Sequence, residues 1–265
     1  MSTYHAKKRL GQNFLQSEEI IRRIIDQLKI SEIDNIIEIG PGRGALTEYL
    51  VETKANKIYA IEFDEDLIGY LNKLFGSDDN IEIIQADFLS YKPEIDKFKL
   101  IGNLPYNITS PVIDWVIRNY SQIQSAVFMI QKEMADRICS APGSKNWSPI
   151  SIFIRLYFEV EKCFDVSPHH FKPVPKVTSS VIKLTPRNKI KVSNQILFEQ
   201  IVRESFKQRR KLLVNNLVPN IINTKENAFM LFNRLKLEPN TRAEQLTIKQ
   251  FLKLTELIES SNISI

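Results

Sequence analysis

Asn103-Leu104-Pro105-Tyr106 closes an apolar run, Phe98 to Gly102, and lies about sixty residues after a glycine-rich strand end, Glu38-Ile39-Gly40-Pro41-Gly42-Arg43-Gly44. A short Asn-x-Pro-Tyr turn offers a side-chain amide oxygen, main-chain carbonyls freed from regular pairing and an aromatic face. Those are the groups needed to grip a flat, amino-bearing base, and the chemistry they point to is methyl transfer onto an exocyclic amine. The adenine amino nitrogen is a poor nucleophile because its lone pair is delocalised into the ring. A catalyst must favour its pyramidal form and hold it in line with the methyl group. The Asn103 side-chain oxygen and a carbonyl near Leu104 are suited to accept its two hydrogens, with Tyr106 stacked on the base.

Three further groups fall at strand ends. Gly40, Gly42 and Gly44 precede a helix-like run, Ala45 to Val51, and let a ligand approach where a Cβ would obstruct it. By itself such a loop serves a dinucleotide, a sulfonium nucleoside or a tight turn. Glu62 follows Gly40 by 22 residues, where ribose hydroxyls would be held in either nucleotide reading. Asp64, Glu65 and Asp66 read as charges at a helix N-terminus. Asp87-Phe88 ends the next strand, its carboxylate placed to accept from an adenine amino group and its ring to cover the adenine face. Ligands of open α/β sheets bind outside the carboxyl ends of the strands, and the first four strands each end in a candidate group.

Other segments admit two readings. Lys7-Lys8-Arg9-Leu10-Gly11-Gln12-Asn13-Phe14-Leu15 is either a solvated arm or a flap that touches RNA through its cations and closes over cofactor through Asn13 and Leu15. Phe206-Lys207-Gln208-Arg209-Arg210-Lys211, with Arg203 one turn earlier, is a solvated charged face or a surface for RNA phosphates. Phe171, in the proline-rich stretch Phe171-Lys172-Pro173-Val174-Pro175, is a second stacking ring or a core plug.

The elements that must carry these groups recur at a steady interval. β-rich runs at 35–39, 57–62, 81–85, 98–102 and 126–130 leave room for helices between them, the rhythm of a parallel α/β sheet. Two more strands, Phe158 to Phe164 and Val177 to Leu184, bring the expected total to seven. Ser17 is placed to cap a helix with apolar positions Ile20, Ile21, Ile24, Ile25 and Leu28, and Ser110-Pro111 to open another. Beyond Pro186 the pattern is helical: one helix from about Ile196 to Leu217, then helices near 226–235 and 243–259.

Charge divides along the same line. Residues 1–186 hold 22 Lys and Arg against 24 Asp and Glu, and residues 187–265 hold 14 against 7, giving nets of −2 and +7. The expected domains are therefore 1–186, cofactor-binding and catalytic, and 187–265, helical, basic and RNA-contacting. Two cysteines and three histidines argue against a disulfide framework or a closed zinc site. No apolar run reaches the roughly 18 residues of a spanning helix, and the opening dozen lack a signal peptide's apolar stretch, so a cytoplasmic protein without a membrane partner is expected.

From Lys8-Arg9-Leu10-Gly11-Gln12-Asn13-Phe14-Leu15 through the Gly40 loop and Asn103-Leu104-Pro105-Tyr106-Asn107 to Phe171-Lys172-Pro173-Val174-Pro175-Lys176-Val177 and Arg209-Arg210-Lys211, the chain resembles the bacterial small-subunit (16S) rRNA adenine N6-dimethyltransferases. The resemblance implies a seven-stranded, Rossmann-like α/β domain that uses S-adenosylmethionine, followed by a small all-helical domain. It implies two methyl groups on each of two adjacent adenosines in a hairpin near the 3′ end of 16S rRNA, within an immature 30S subunit. S-adenosylhomocysteine is the product, no metal is needed, and a monomer is expected. Asn13, Leu15, Gly40, Gly42, Glu62, Asp87, Phe88 and Asn103 would hold the cofactor. Asn103, Leu104, Tyr106 and Phe171 would serve the target base, and Lys7, Lys8, Arg9, Arg203, Lys207, Arg209, Arg210 and Lys211 the RNA. Thr178 and Ser180 are mild variants of the family pattern in a segment that positions substrate. The rivals are the 23S rRNA adenine N6-methyltransferases of macrolide resistance, a non-catalytic RNA-binding assembly factor of the same fold, and a nicotinamide dehydrogenase.

Overall fold

A computed structural model of the chain describes residues 13–261. The candidate contacts of Lys7, Lys8 and Arg9 lie outside the described residues. Contacts divide the chain into two compact units. One runs through Asp136 and adds Tyr157–Arg187; the other comprises Arg137–Leu156 and the chain from Asn188 onward.

In the first unit a short strand β1 (Phe14–Leu15) leads into helix α1 (Glu18–Asp26), whose Ile20, Ile21, Ile24 and Ile25 are buried as their spacing requires. Strand β2 (Asn35–Ile39) is followed by the single-turn α2 (Thr47–Leu50), β3 (Lys57–Glu62), α3 (Glu65–Phe75), β4 (Ile81–Gln85), β5 (Phe98–Asn103), α4 (Thr109–Arg118) and β6 (Ile123–Gln131). These strands are rich in Ile, which suits parallel pairing with both faces covered. Asp64 caps α3, its Oδ1 accepting from Asp66 N at 3.2 Å, so the acidic run is the helix N-terminus that the sequence suggests.

Helix α5 (Lys132–Ile138) leaves this unit and α6 (Pro149–Arg155) lies in the second; the chain then returns as β7 (Phe158–Val166), β8 (Phe171–Lys172) and β9 (Ser179–Pro186). The sheet order is β4-β3-β2-β5-β6-β9-β7, with β9 antiparallel to both neighbours. That sheet has seven strands, the seven expected from the sequence. The chain runs outward from β2 to β4 and comes back to β5 on the other side of β2. That reversal opens a crevice at the carboxyl ends of β2 and β5, where Gly40 and Asn103 lie. A separate two-stranded ribbon pairs Phe14 with Lys172 and Leu15 with Phe171, a pairing invisible in segments this short and this far apart.

The second unit differs from its sequence reading in two ways. The single helix expected from Ile196 to Leu217 is two, α7 (Gln195–Ser205) and α8 (Leu213–Leu217), with the basic run in the turn between them. Buried Asn216 holds that break: its Nδ2 donates to Ser205 O at 2.7 Å and Gln208 O at 3.2 Å, carbonyls a continuous helix would have used internally. Second, Arg137–Leu156, which the contiguous boundary at 186 puts with the sheet, packs in the helical unit. Trp147 is fully buried there and donates from Nε1 to Leu246 O at 3.0 Å, while Gly143 N donates to Glu244 O at 2.7 Å. The unit is completed by α9 (Lys225–Arg234), a 3₁₀ turn at Ala243–Gln245 and α10 (Ile248–Glu259), whose Thr247 and Gln250 form a capping box. No helix of the described residues is long and apolar enough to cross a membrane.

Candidate active site

The crevice opens into a cavity of about 320 Å³ lined by Asn13, Phe14, Leu15, Glu38, Gly40, Gly42, Glu62, Phe63, Asp87, Phe88, Asn103, Leu104, Tyr106 and Phe171, among others. Its size lies within the roughly 300–1,000 Å³ typical of small-molecule sites. Every site residue that the sequence places in the catalytic or cofactor groups lines it.

The floor is acidic. Glu62, 7% exposed, accepts from Gly42 N at 3.0 Å through one carboxylate oxygen and from Asp64 N at 2.9 Å through the other. Burial still raises its pKa, against the lowering pull of the amides of Asp64, Gly42 and Phe63. Glu38, 1% exposed, accepts from Thr47 Oγ1 at 2.7 Å; burial pushes it up to about 8, with Glu62 adding repulsion. Its position in the strand end is plain in the sequence, but its contact with the cavity follows from burial that the sequence does not display.

The loop above the carboxylates is shaped by glycine. Gly42 has φ +61°, and a Cβ there would press on the Phe14 ring at 3.3 Å. Gly40 has φ +62°, and a Cβ there would meet no protein atom within 4 Å, taking up ligand space instead. Buried carboxylates, an amide-edged loop and apolar walls fit a cationic nucleoside such as S-adenosylmethionine. Glu62 presents its carboxylate at the cavity floor, and Glu38, pushed up to about 8, is a mostly neutral carboxyl beside it at neutral pH.

The walls sort the remaining residues. Phe88 is buried and its ring lies 4.5 Å from that of Trp115, so it forms a fixed side of the cavity. Asp87 is exposed and already accepts from Leu89 N at 2.9 Å through Oδ1, which leaves Oδ2 for a ligand. Phe63, 65% exposed just after β3, is an aromatic lip that sequence reasoning missed; an aromatic residue directly after Glu62 was the available signal.

At the other end of the cavity, Asn103 Nδ2 donates to Asn13 O at 3.1 Å. With the amide nitrogen so used, Oδ1 is the end left as an acceptor, and no described residue donates to it. Leu104 N donates to Met129 O at 3.0 Å, extending the β5–β6 ladder by one bond, and the Leu104 carbonyl has no described donor. Tyr106 is half-buried, its phenol oxygen 3.4 Å from Ser179 Oγ. Phe171 is 3% exposed and packs with Leu15 in the core, as a core plug does, and it also lines the cavity. Thr178 and Ser180 do not line the cavity. Thr178 O accepts from Lys132 N, and Ser180 Oγ donates to Asp165 Oδ1 at 2.7 Å; Ser179 between them is the residue that touches Tyr106.

In the helical unit the basic residues gather differently. Arg137, Arg203, Phe206 and Arg209 line one concavity, and Arg209, Arg210 and Lys211 edge another. Arg203 lies over the Phe153 ring at 5.1 Å, and Arg209 donates to the carbonyls of Lys145 and Trp147. Lys207 is paired with Glu204 at 3.1 Å, which lowers its availability to a phosphate.

Residues 3–260 match the family described as Ribosomal RNA adenine dimethylase. The Ribosomal RNA small subunit methyltransferase A of Sulfurihydrogenibium sp. (strain YO3AOP1) is 34% identical over 99% of this chain and 100% of its own length. That of Francisella tularensis subsp. novicida (strain U112) is 40% identical over 96% of this chain and 97% of its own. Among solved structures, a dimethyladenosine transferase from Plasmodium falciparum is similar with TM-score 0.82 and 28% identity, covering 95% of this chain and 99% of that one. The 23S rRNA methyltransferase ErmE follows with TM-score 0.75 and 26% identity, covering 94% and 100%. A match over nearly the whole length, with a cavity whose groups suit transfer to an aromatic amine, places this chain in the ribosomal RNA adenine dimethylase family.

Proposed function

We propose that the chain dimethylates N6 of two adjacent adenosines in a hairpin near the 3′ end of 16S rRNA, acting on an immature 30S subunit in the cytoplasm as a monomer. Family membership carries the reaction class, and relatives named small subunit methyltransferase A at 34–40% identity favour 16S over 23S rRNA. When bound, S-adenosylmethionine supplies an electrophilic methyl group and leaves as S-adenosylhomocysteine.

The chain's own residues do the rest. Gly40, Gly42, Glu62, Asp87 and Phe88 hold the nucleoside, and Asn13 and Leu15 cover it. Asn103 Oδ1 and the Leu104 carbonyl accept from the amine hydrogens, drawing the nitrogen lone pair out of conjugation, and the amine proton released on transfer passes to solvent or a carbonyl. Tyr106 and Phe171 bracket a base turned out of its stack, which a loop permits at lower cost than a duplex. Arg203, Lys207, Arg209, Arg210 and Lys211, with Lys7, Lys8 and Arg9 of the arm, meet phosphates.

The single observation that carries this reading is the Asn103 amide, pinned through Nδ2 to Asn13 O so that its acceptor end is the one left to the cavity. Incubating unmethylated small subunits and, in a parallel reaction, unmethylated 23S rRNA with the protein and labelled methyl donor, followed by mass spectrometry of each rRNA, should yield dimethyladenosine at adjacent positions of 16S rRNA. Label appearing only in 23S rRNA would favour the macrolide-resistance type, and no label in either would leave an assembly factor.

A further inference from the structure

Ser179 is 1% exposed at the start of β9, directly opposite Gln131 of β6 and Val166 of β7. Burying a hydroxyl is unfavourable unless it is hydrogen-bonded. Among the described residues its side chain has one such partner, the Tyr106 phenol at 3.4 Å, where either hydroxyl can donate. Its backbone is held firmly. The preceding carbonyl, Thr178 O, accepts from Lys132 N at 3.0 Å, and the next residue, Ser180, is bonded to Asp165, itself paired with Lys132 and Lys162. The Tyr106 ring is thus tethered at its Cα by the Asn103 turn and at its hydroxyl by a rigid strand. A separation of 3.4 Å is long for two hydroxyls, which leaves the ring room to settle onto a base and shorten the contact.

Resting on the reading of Tyr106 as the stacking ring, we propose that Ser179 is a positioning residue that fixes the tilt of Tyr106 and thereby sets how completely a monomethylated adenosine goes on to the dimethyl product. The two transfers differ in chemistry. The first acts on an amine with two hydrogens, one each for Asn103 Oδ1 and the Leu104 carbonyl. It replaces one N–H by N–CH3 and releases a proton. The second begins with one hydrogen, so one of the two acceptor contacts is gone and the base is held more by its stacked face. A ring free to tilt therefore slows the second transfer more than the first.

Ser179→Ala and Tyr106→Phe each remove the same hydrogen bond, and Tyr106→Ala removes the ring. Each variant would be assayed on unmethylated small subunits, reading kcat and KM for each step, the ratio of monomethyl- to dimethyladenosine by mass spectrometry, and S-adenosylmethionine affinity by calorimetry. Ser179→Ala and Tyr106→Phe should each slow the second transfer about three- to tenfold, the size of one neutral hydrogen bond, so that monomethyladenosine accumulates. Cofactor affinity should be unchanged, and the double variant should be no worse than either single one. If Ser179→Ala fails to fold, Tyr106→Phe, altered at a half-buried side chain, decides the matter. Wild-type product ratios in Ser179→Ala and Tyr106→Phe, with Tyr106→Ala slow, would overturn the role of Ser179 alone. Wild-type rates in Tyr106→Ala would overturn the stacking role as well.

Discussion

Glu38 and Glu62 are 1% and 7% exposed, each held by hydrogen bonds from its neighbours, whereas Arg209, Arg210 and Lys211 stand exposed on a turn of the helical unit. At the cavity floor these two carboxyl groups are removed from water, so each is aimed by its hydrogen bonds and its proton affinity is raised. The basic turn has several exposed charges, of which Arg209 is braced on the carbonyls of Lys145 and Trp147, and each is weak singly because water screens it. A site that must align one nitrogen with one carbon needs the first arrangement; a surface that must find a phosphate backbone needs the second. Position matters in one region and number in the other.

The sharpest way to break this contrast is Asn103→Ala. Loss of one aimed acceptor should lower the methylation rate by about 100- to 1,000-fold, the range found when a single oriented group is deleted from an active site. Binding to small subunits, measured by sedimentation, should stay near wild type. Methyl incorporation by this variant at the normal rate would contradict the aimed-group half of the comparison.

Neutralising Arg209, Arg210 and Lys211 to Ala together tests the other half. The slope of log affinity for rRNA against log salt should shrink by about 2 to 3, and affinity at physiological salt should fall about tenfold or more. Calorimetry should show unchanged cofactor affinity. If one of the three residues alone carried the whole loss, the turn would be an aimed site after all.

A smaller effect comes from the burial of one carboxyl group. Glu38 is raised from an ordinary value of 4.5 to about 8, so between those values the folded state holds a proton that the unfolded state has released. The stabilising contribution is complete below about pH 4.5 and is lost as pH rises through about 8. Without added cofactor, the Tm of the wild type should fall by a few degrees more between pH 6 and pH 8.5 than that of Glu38→Gln. Parallel Tm profiles would mean that Glu38 is ionised in the fold.

The strand rhythm, the Gly40 loop, Glu62, Asp87 and the Asn103 turn were legible because each is a local pattern: β-branched runs of fixed length, glycine at strand ends, a turn with its own chemistry. The break after Ser205 was not. The apolar stripe through Phe198, Ile201, Val202 and Phe206 continues in phase to Leu213 and Leu217, and only Asn216, reaching back to Ser205 O and Gln208 O, reveals the interruption. Likewise nothing local in Gly143 to Trp147 announces that its partners are Glu244 and Leu246, about a hundred residues on.

The sequence by itself determined which groups end each strand and hence what chemistry is on offer, because strand length, turn type and residue chemistry act over a few neighbouring positions. Tertiary structure alone decided how those groups are aimed. The Asn13 carbonyl orients the Asn103 amide, burial lifts Glu38, the ribbon brings Phe14, Leu15 and Phe171 to the cavity wall and Ser179 reaches Tyr106. Each of these depends on atoms brought together across tens of residues, and a hydrogen bond or a desolvated charge exists only once the chain has closed that distance.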